Sequence, residues 1–245
     1  MRHSTGGPVL PAASLLLALA LLPLWAGGLA HAAPPPQVDI PETPPFRLPF
    51  DGPPGPDTWF VAQWYGNTTL AYRVRETWYE AGQGLHFGLD FGARCGTEVL
   101  AIGDGTVIKV DALQHGAGPH NLLIQHENGF VSLYGHLLQR PDAYTGMPVR
   151  AGQVVGLSGD PDLTCLSRPH LHLEIRRLDV GMLYNPVLFI DADWDTLALF
   201  GPRGSFQQDL ADPRRWVTPY DQPSVDLWGP LLNEYAQPWP PGWQQ

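Results

Sequence analysis

Four histidines and one aspartate lie in three short segments and have the clearest potential for chemistry. His86 and Asp90 lie in GLHFGLDFG, His136 lies in LYGHL, and His170 and His172 lie in RPHLHLEI. Histidine and carboxylate are the ligands that zinc prefers when no thiolate is available. Histidine also exchanges protons close to neutral pH, because its unperturbed pKa is about 6.5. These five residues therefore indicate a zinc site with proton-transfer groups beside it, and the alternative is chance clustering in a β-rich domain.

The spacing within two of these segments constrains how the chain must fold. His170 and His172 are two residues apart, so on a β-strand both side chains leave the same face, about 7 Å apart at Cα. His86 and Asp90 are four residues apart, which would separate them by about 13 Å on a straight strand. Ligand atoms on one zinc ion lie within about 4 Å of each other. The chain must therefore bend between His86 and Asp90, and Gly88 is the residue at which a strand would turn or bulge.

The composition and the turn residues favour an all-β fold with little helix. Gly and Pro contribute 27 residues each to a chain of 245, and both interrupt helices. Short apolar runs rich in aromatic and β-branched residues alternate with turn sequences from residue 57 onward. A hairpin is predicted to pair residues 147–151 with residues 153–157 through Gly152. We expect an antiparallel sheet or sandwich.

The clearest predicted hairpin positions one of the five residues. Residues 122–126 and 130–137 flank a turn that contains Asn-Gly, a dipeptide that readily adopts the positive φ angles of tight hairpin turns. Side chains alternate between the two faces of a strand. The second strand should therefore present Phe130, Ser132, Tyr134 and His136 on one face.

The chain divides into four predicted segments. Residues 1–32 are predicted to be a secretory signal peptide, because Arg2 precedes an apolar stretch at residues 9–24 and Ala30-His31-Ala32 supplies a small-residue cleavage site. The alternative is an uncleaved membrane anchor. Residues 33–56 are predicted to be a Pro-rich linker, residues 57–190 a catalytic domain, and residues 191–245 a Trp- and Pro-rich extension that packs on that domain. We expect a secreted or periplasmic protein of the cell envelope, with no membrane span after cleavage.

The charge balance excludes a nucleic-acid binder. The chain has 14 Lys and Arg residues against 24 Asp and Glu residues, a net charge of −10, and Lys109 is its single lysine. Binding to phosphates requires a basic face, which this composition does not supply. The composition does not determine the oligomeric state, and a monomer is expected.

The two cysteines, Cys95 and Cys165, suggest a disulfide. An even number of cysteines in an exported protein is typical of a bridge. Each cysteine lies five residues from one of the candidate ligands or proton-transfer residues, so the bridge would brace the site. Two free thiols, or a cysteine that serves as an added metal ligand, are the alternatives.

The motifs and their order resemble those of the lysostaphin/LytM-type zinc metallopeptidases. GLHFGLDFG, AIGDGTV at residues 101–107, LYGHL, VRAGQVVGLSG at residues 149–159 and PHLHLE follow one another as in that family, and the resemblance runs from Trp59 to Phe189. It implies a compact antiparallel β domain with a substrate groove. It also implies one zinc ion held by His86, Asp90 and His172, and a hydrolase that acts on the peptides of bacterial peptidoglycan.

The resemblance places the remaining histidines beside the reacting water. One of His136 and His170 would accept its proton, and the other would stabilise the intermediate or protonate the leaving amine. The family also raises an upstream tyrosine that stabilises the oxyanion, for which Tyr79 is the nearest candidate. Glu174 continues the face of His170 and His172, and is either an orienting partner of a ligand or a solvated carboxylate.

Three functions follow from these observations. The first is an exported zinc endopeptidase that cuts cross-links or stem peptides of peptidoglycan. The second is a non-catalytic module that binds cell wall or activates another wall hydrolase, which loss of a ligand residue would have favoured. The third is a zinc peptidase with a protein substrate outside the wall.

Overall fold

The computed structural model describes residues 40–199, 207–212 and 214–234, together with Met1 and His3. Apart from those two residues, the predicted signal peptide lies outside the described part of the chain. The same holds for residues 33–39 of the predicted linker and residues 235–245 of the predicted extension. The four domain boundaries therefore stay predictions.

Antiparallel strands dominate the described part of the chain. Thirteen strands occur there: β1 (Trp59–Gln63), β2 (Leu89–Ala93), β3 (Glu98–Leu100), β4 (Gly105–Val110), β5 (Leu122–Gln125), β6 (Val131–Gly135), β7 (Pro148–Val149), β8 (Val154–Leu157), β9 (His170–Arg177), β10 (Met182–Tyr184), β11 (Gln207–Gln208), β12 (Trp216–Val217) and β13 (Val225–Asp226). Two short helices accompany them, α1 (Thr69–Arg73) and α2 (Trp194–Leu197), with 3₁₀ turns at Glu80–Gly82, Leu113–His115, Pro186–Leu188 and Pro219–Asp221. The predicted all-β fold is confirmed.

One large sheet carries the central strands. Its order is β1-β2-β9-β6-β5-β4-β7, with β10 paired to β9 and β13 paired to β10. Two-stranded ribbons form from β3 with β8 and from β11 with β12. No helix in the described residues has the length and apolar character of a bilayer span.

The central strand β9 has two unlike faces. Leu171, Leu173 and Ile175 are completely buried and pack in the core, whereas His170 and His172 alternate with them on the opposite face. Residues paired directly across antiparallel strands share a face. β2 and β6, which flank β9, therefore determine which side chains meet its histidines.

The predicted hairpin at residues 122–137 is confirmed. β5 pairs with β6 in the register Leu122↔Tyr134 and Gln125↔Val131. The turn contains Gly129 with a φ of 84°, as the Asn-Gly sequence predicted.

The hairpin predicted around Gly152 is wrong. The chain does turn there, because Gly152 has a φ of 79° and Gln153 N donates to Arg150 O at 3.0 Å. The flanking strands pair elsewhere, β7 with β4 and β8 with β3. The turn sequence predicted a reversal of direction but carried no information on the partners.

The last residues of the predicted linker pack on the sheet domain. Phe46 N donates to Phe189 O at 3.0 Å, and Asp191 N donates to Phe46 O at 2.8 Å. Phe50 is buried, and its ring centroid lies 5.9 Å from that of Trp59. Proline fixes the local backbone without preventing these aromatic residues from filling the core.

The described parts of the predicted C-terminal extension also pack on the domain, as expected. β13 pairs with β10, and Val225 joins Leu85 and Leu183 in a buried apolar cluster. Asn233 is fully buried, and its side chain donates to Gly84 O at 2.7 Å. Gly84 lies two residues before His86, so the extension supports the segment that carries a candidate ligand.

Candidate metal centre

Three of the predicted residues bring one ligand atom each to a common point. His86 Nε2 lies 3.2 Å from Asp90 Oδ1 and 3.2 Å from His172 Nδ1. Asp90 Oδ1 lies 2.8 Å from His172 Nδ1. All three side chains are buried. Two imidazole nitrogens and one carboxylate oxygen at such separations suit a tetrahedral zinc ion with one position open to water or substrate.

The bend between His86 and Asp90 arises because only Asp90 belongs to a strand of the main sheet. β2 begins at Leu89, and Asp90 pairs with His172 across β2 and β9. His86 pairs instead with Gly66, whose carbonyl accepts the His86 backbone N–H at 3.0 Å. The sequence prediction that the chain bends here is confirmed.

Gly88 provides room for a ligand in this bend. A Cβ at Gly88 would lie 2.6 Å from His172 Cε1, 2.7 Å from His172 Nε2 and 2.8 Å from Leu173 O. Real Cβ atoms do not approach other atoms so closely, so any larger residue would displace the His172 ring or the backbone of β9. Glycine is required at position 88 because the His172 ring and the backbone of β9 approach it closely, not because the strand bulges there.

Acceptors on the far side of each ligating ring determine which nitrogen faces the centre. His86 Nδ1 lies 2.7 Å from Trp64 O, a carbonyl that can only accept, so Nδ1 carries the proton and Nε2 is left for a metal. His172 Nε2 lies 3.0 Å from Glu174 Oε1, which likewise leaves Nδ1 for a metal. This arrangement orients both imidazoles as ligands.

Glu174 is not a solvated carboxylate. It is completely buried and contacts both His172 and the guanidinium of Arg176, whose Nη2 donates to His115 O at 2.8 Å. Burial works to raise the pKa of Glu174, but the charge of Arg176 and the hydrogen bond from His172 lower it below its usual value. Glu174 is therefore ionised behind the ligand ring.

The charges of the centre support one another. Burial works to raise the pKa of Asp90, but the neighbouring His86 and His170 and the hydrogen bond from His172 hold it well below its usual range. Burial works to lower the pKa of His172, but hydrogen bonds with Asp90 and Glu174 raise it to about 9. A metal bound between Asp90 and His172 would displace the proton of the hydrogen bond between Asp90 Oδ1 and His172 Nδ1.

His136 and His170 lie together beside the three ligand candidates. Their ring centroids are 4.8 Å apart, and that of His136 lies 5.8 Å from that of His172. Each Nδ1 is held by a backbone carbonyl, Gly118 O for His136 and Arg168 O, at 2.7 Å, for His170. Both rings therefore present Nε2 to the groove. Burial and the neighbouring histidines lower the pKa of His136 to about 3, so it is neutral.

The predicted face of His136 is wrong. Gly135 pairs with His172, so a regular continuation of β6 would place His136 on the opposite face, with Tyr134 in the core. The strand instead ends at Gly135, and His136 has a φ of 55°. This left-handed backbone returns the imidazole to the face of His170 and His172, a change that strand alternation alone does not predict.

Tyr79 lies beside the centre. Its ring centroid is 5.3 Å from that of His86, and Gln63 Nε2 lies 3.3 Å from its hydroxyl. Gln63 was missed by the sequence analysis, although its place on β1 opposite Asp90 gives it access to the site. Arg176 was also missed, and its signal was the continued alternation His172, Glu174, Arg176 on one strand.

A groove of about 560 Å³ runs over the centre. Its floor includes Asp90, His136, His170 and His172, and its walls add largely apolar side chains: Phe60, Ala62, Leu70, Trp78, Pro161 and Pro169. Arg168 also lines it and was missed, although it directly precedes PHLH in the sequence.

The predicted disulfide is present. Cys95 and Cys165 are bonded, with their Cα atoms 6.0 Å apart, which eliminates the free thiols and the added metal ligand as alternatives. The bridge connects the turn after β2 to the segment before β9. It therefore braces the two strands that carry Asp90 and His172.

Comparisons with known proteins identify relatives of this region. Residues 84–186 match the model of Peptidase family M23. Lysostaphin from Staphylococcus simulans is 31% identical over 113 residues, which are 46% of this chain and 22% of that protein. Murein hydrolase activator EnvC from Escherichia coli strain K12 is 43% identical over 99 residues, which are 40% of this chain and 22% of that protein.

Solved structures include a related catalytic domain. One is the catalytic domain of a mutant of EnpA, a prophage-encoded M23 protein from Enterococcus faecalis. It is 28% identical to this chain and superposes with a TM-score of 0.44, covering 57% of this chain and 95% of that one. The chain spans less than a third of the length of lysostaphin and of EnvC.

Proposed function

Since residues 84–186 match the model of Peptidase family M23, as the motifs predicted, we propose that this protein is a zinc-dependent endopeptidase that hydrolyses peptide bonds in bacterial peptidoglycan. The observation that carries the proposal is the convergence of His86 Nε2, Asp90 Oδ1 and His172 Nδ1, with two further imidazoles beside them. All five positions are filled by residues able to perform the chemistry.

The three converging residues would hold the metal. The donor set is two imidazole nitrogens and one carboxylate oxygen, and each imidazole has its other nitrogen occupied by an acceptor. When bound, zinc would lower the pKa of a water toward about 7 and polarise the scissile carbonyl. Glu174 would orient His172, and the Trp64 carbonyl would orient His86.

His136 and His170 would move the protons. Both present Nε2 toward the groove, and the carbonyls of Gly118 and Arg168 prevent either ring from turning over. His136, neutral because burial lowers its pKa to about 3, accepts a hydrogen bond or a proton at Nε2. The proton taken from the water would then pass to the leaving amine, either from the ring that accepted it or through the other histidine. Tyr79, whose ring lies beside His86, would donate its hydroxyl to a developing oxyanion.

The substrate class rests on the groove and on the family. An open groove with apolar walls accepts an extended peptide, and peptides of the cell wall are accessible to an exported protein. We include export in the proposal, through the predicted signal peptide at residues 1–32, with a secreted or periplasmic protein as the result. The expected monomer is included as well.

The direct test measures cleavage and metal together. Purified protein incubated with peptidoglycan should release new amino termini, contain one zinc per chain, and lose activity with a chelator and regain it with zinc. His172→Ala should abolish cleavage. His115→Ala is the matched control, because its ring lies outside the centre and its backbone carbonyl, which Arg176 contacts, is retained. Full activity in His172→Ala, or a zinc-free active protein, would contradict the mechanism.

A second candidate function is activation of another wall hydrolase. It is favoured by the 43% identity with a relative named murein hydrolase activator. Adding a purified wall amidase to each assay separates the two functions. Cleavage that appears only with the amidase, and that persists in His172→Ala, would support activation over catalysis.

A further inference from the structure

One arginine lines the groove together with the histidines. Among the described residues that form its walls, Arg168 is the sole Arg or Lys, and Asp90, a candidate ligand, is the sole carboxylate. Arg168 is exposed and belongs to no salt bridge within the described part of the chain. A substrate that fills this groove therefore meets one guanidinium that no carboxylate of the described residues neutralises.

An aromatic ring supports the guanidinium. Arg168 Cζ lies 5.2 Å from the centroid of the Trp78 ring, and Trp78 also lines the groove although 57% of its surface is exposed. A contact with the face of a ring leaves the N–H donors of the guanidinium available to an anion. The indole thus restricts where the charge lies without consuming its hydrogen bonds.

The backbone beneath Arg168 is held on both sides. Asp160, which is 1% exposed, accepts hydrogen bonds from Ser167 N at 3.2 Å and Arg168 N at 3.3 Å. The Arg168 carbonyl accepts the His170 Nδ1–H at 2.7 Å, and Cys165, three residues earlier, is tied to the turn after β2 by the disulfide. Fixing the loop before a ligand arrives lowers the entropic cost of binding.

We propose that Arg168, stacked on Trp78, forms a subsite that binds a carboxylate of the peptide substrate. A guanidinium and a carboxylate form two parallel hydrogen bonds, which gives both orientation and strength. Arg168 lies two residues from His170, so their Cα atoms are at most about 7 Å apart. Arg168 and His170 line the same groove, so the bound carboxylate belongs to the part of the peptide that lies in it. This inference rests on the proposed function, because it names which peptides that site accepts.

The test compares one peptide in two chemical forms. Stem peptides released from purified peptidoglycan would be used with their carboxylates free or converted to amides. The wild-type protein should cleave the free form with a KM about tenfold or more lower than that of the amide form, since hydrogen bonds to charged groups are the strong ones. Arg168→Gln should remove this preference by raising KM for the free form, with kcat changed much less. Arg168→Lys should retain part of it.

Matched variants separate a subsite from a structural brace. Arg140→Gln removes an exposed arginine outside the groove and should leave the preference intact. Trp78→Phe keeps a ring under the guanidinium and should retain most of it. If Arg168→Gln impairs both peptide forms equally, the residue only supports the loop and the inference is wrong.

A binding measurement distinguishes failure of this inference from failure of the proposed function. Calorimetric titration of the same two peptides into zinc-loaded protein needs no turnover. Preferential binding of the free form, lost in Arg168→Gln, supports the subsite even if no peptide is cleaved. Equal binding of both forms to the wild-type protein refutes it even if both are cleaved.

Discussion

The buried carboxylate of Glu174 determines the orientation of His172, a candidate ligand. It contacts His172 on one side and Arg176 on the other, and all three side chains are buried. The carboxylate fixes His172 in the tautomer that leaves Nδ1 for a metal, and it neutralises a guanidinium that has no access to water. One residue thus supports both the candidate metal centre and the stability of β9.

We expect Glu174→Gln to weaken zinc binding about 10- to 100-fold, because the orienting charge behind His172 is lost. The unfolding free energy should also fall, by about 3 kcal/mol, since Arg176 would remain buried without its anion. Competition with a chromogenic chelator measures the first effect and urea denaturation the second. Glu127→Gln, an exposed carboxylate in a hairpin turn, is the control. Unchanged zinc affinity in Glu174→Gln would refute the orienting role.

Gly88→Ala tests the close approach of His172 to the bend before β2. The added methyl would lie 2.6 Å from the imidazole and 2.8 Å from Leu173 O, so the His172 ring or the backbone of β9 must shift. We expect a loss of zinc affinity of at least tenfold, of the size seen when ligand orientation is disturbed. Gly55→Ala, whose nearest neighbour would be Thr58 Oγ1 at 3.4 Å, should bind zinc normally. Normal affinity in Gly88→Ala would show that the bend tolerates a side chain.

At the scale of strands and turns, local signals predicted some of the structure and long-range pairing determined the rest. The Asn-Gly turn and alternation predicted the hairpin of β5 and β6 because both signals lie within one short segment. Gly152 predicted a turn, but the strands on either side of it, β7 and β8, pair with β4 and β3, which lie far away in sequence. His136 adopts its positive φ where β6 ends. Its ring there contacts the Gly118 carbonyl, which belongs to a loop distant in sequence.

The candidate centre was more predictable than its support. Residue type and spacing identified His86, Asp90 and His172 because metal chemistry restricts ligands to a few side chains. Gln63 and Arg168 have no such restriction, and their places depend on strand register and on a loop held by Asp160. The reacting residues are therefore easier to predict from sequence alone than the residues that position them.

The disulfide joins the two elements that carry the candidate ligands, and its removal should loosen them together. Cys95 and Cys165 close a separation of 70 residues, for which the chain-entropy model gives about 4 kcal/mol of stabilisation. We expect the double variant Cys95→Ser/Cys165→Ser to lose up to that amount of unfolding free energy in urea denaturation. Hydrogen exchange should rise in residues 160–169 more than in β5. An unchanged unfolding midpoint would show that the bridge is not a structural brace.

At the scale of the whole molecule, segments distant in sequence meet around the sheet. Tail residues pack beside the ligand-bearing segment: Gln222 Oε1 accepts from Asn67 N at 2.8 Å, and Asn233 Nδ2 donates to Asn67 Oδ1 at 3.0 Å. Asn67 follows Gly66, the residue paired with His86. The extension therefore contributes to the position of a candidate ligand, although none of its described residues is a candidate ligand itself.

His126 lies where three other segments meet, and its protonation makes the stability of these contacts depend on pH. Its Nδ1 lies 2.7 Å from Asp104 O, its Nε2 lies 2.9 Å from Ser132 Oγ, and its ring centroid lies 4.6 Å from that of Phe46. Burial lowers its pKa below the ordinary value of 6.5, and the Asp104 carbonyl offsets that effect only in part. The imidazole is therefore neutral in the folded protein at neutral pH, and His126 is neither a candidate ligand nor a lining residue of the groove.

Acidification should destabilise the fold through this residue. Above pH 6.5 the imidazole is neutral in both states, whereas below it the unfolded chain binds a proton that folded His126 does not, so stability falls as pH falls toward the folded pKa. One such group changes the unfolding free energy by up to about 1.4 kcal/mol per pH unit. Urea denaturation of zinc-loaded protein at about pH 7.5 and about pH 5.5, on either side of the unperturbed histidine pKa, should therefore show a smaller loss in His126→Gln than in wild type. Since Gln keeps one donor and one acceptor without titrating, an equal loss in both proteins would mean that His126 is protonated equally in the folded and unfolded states.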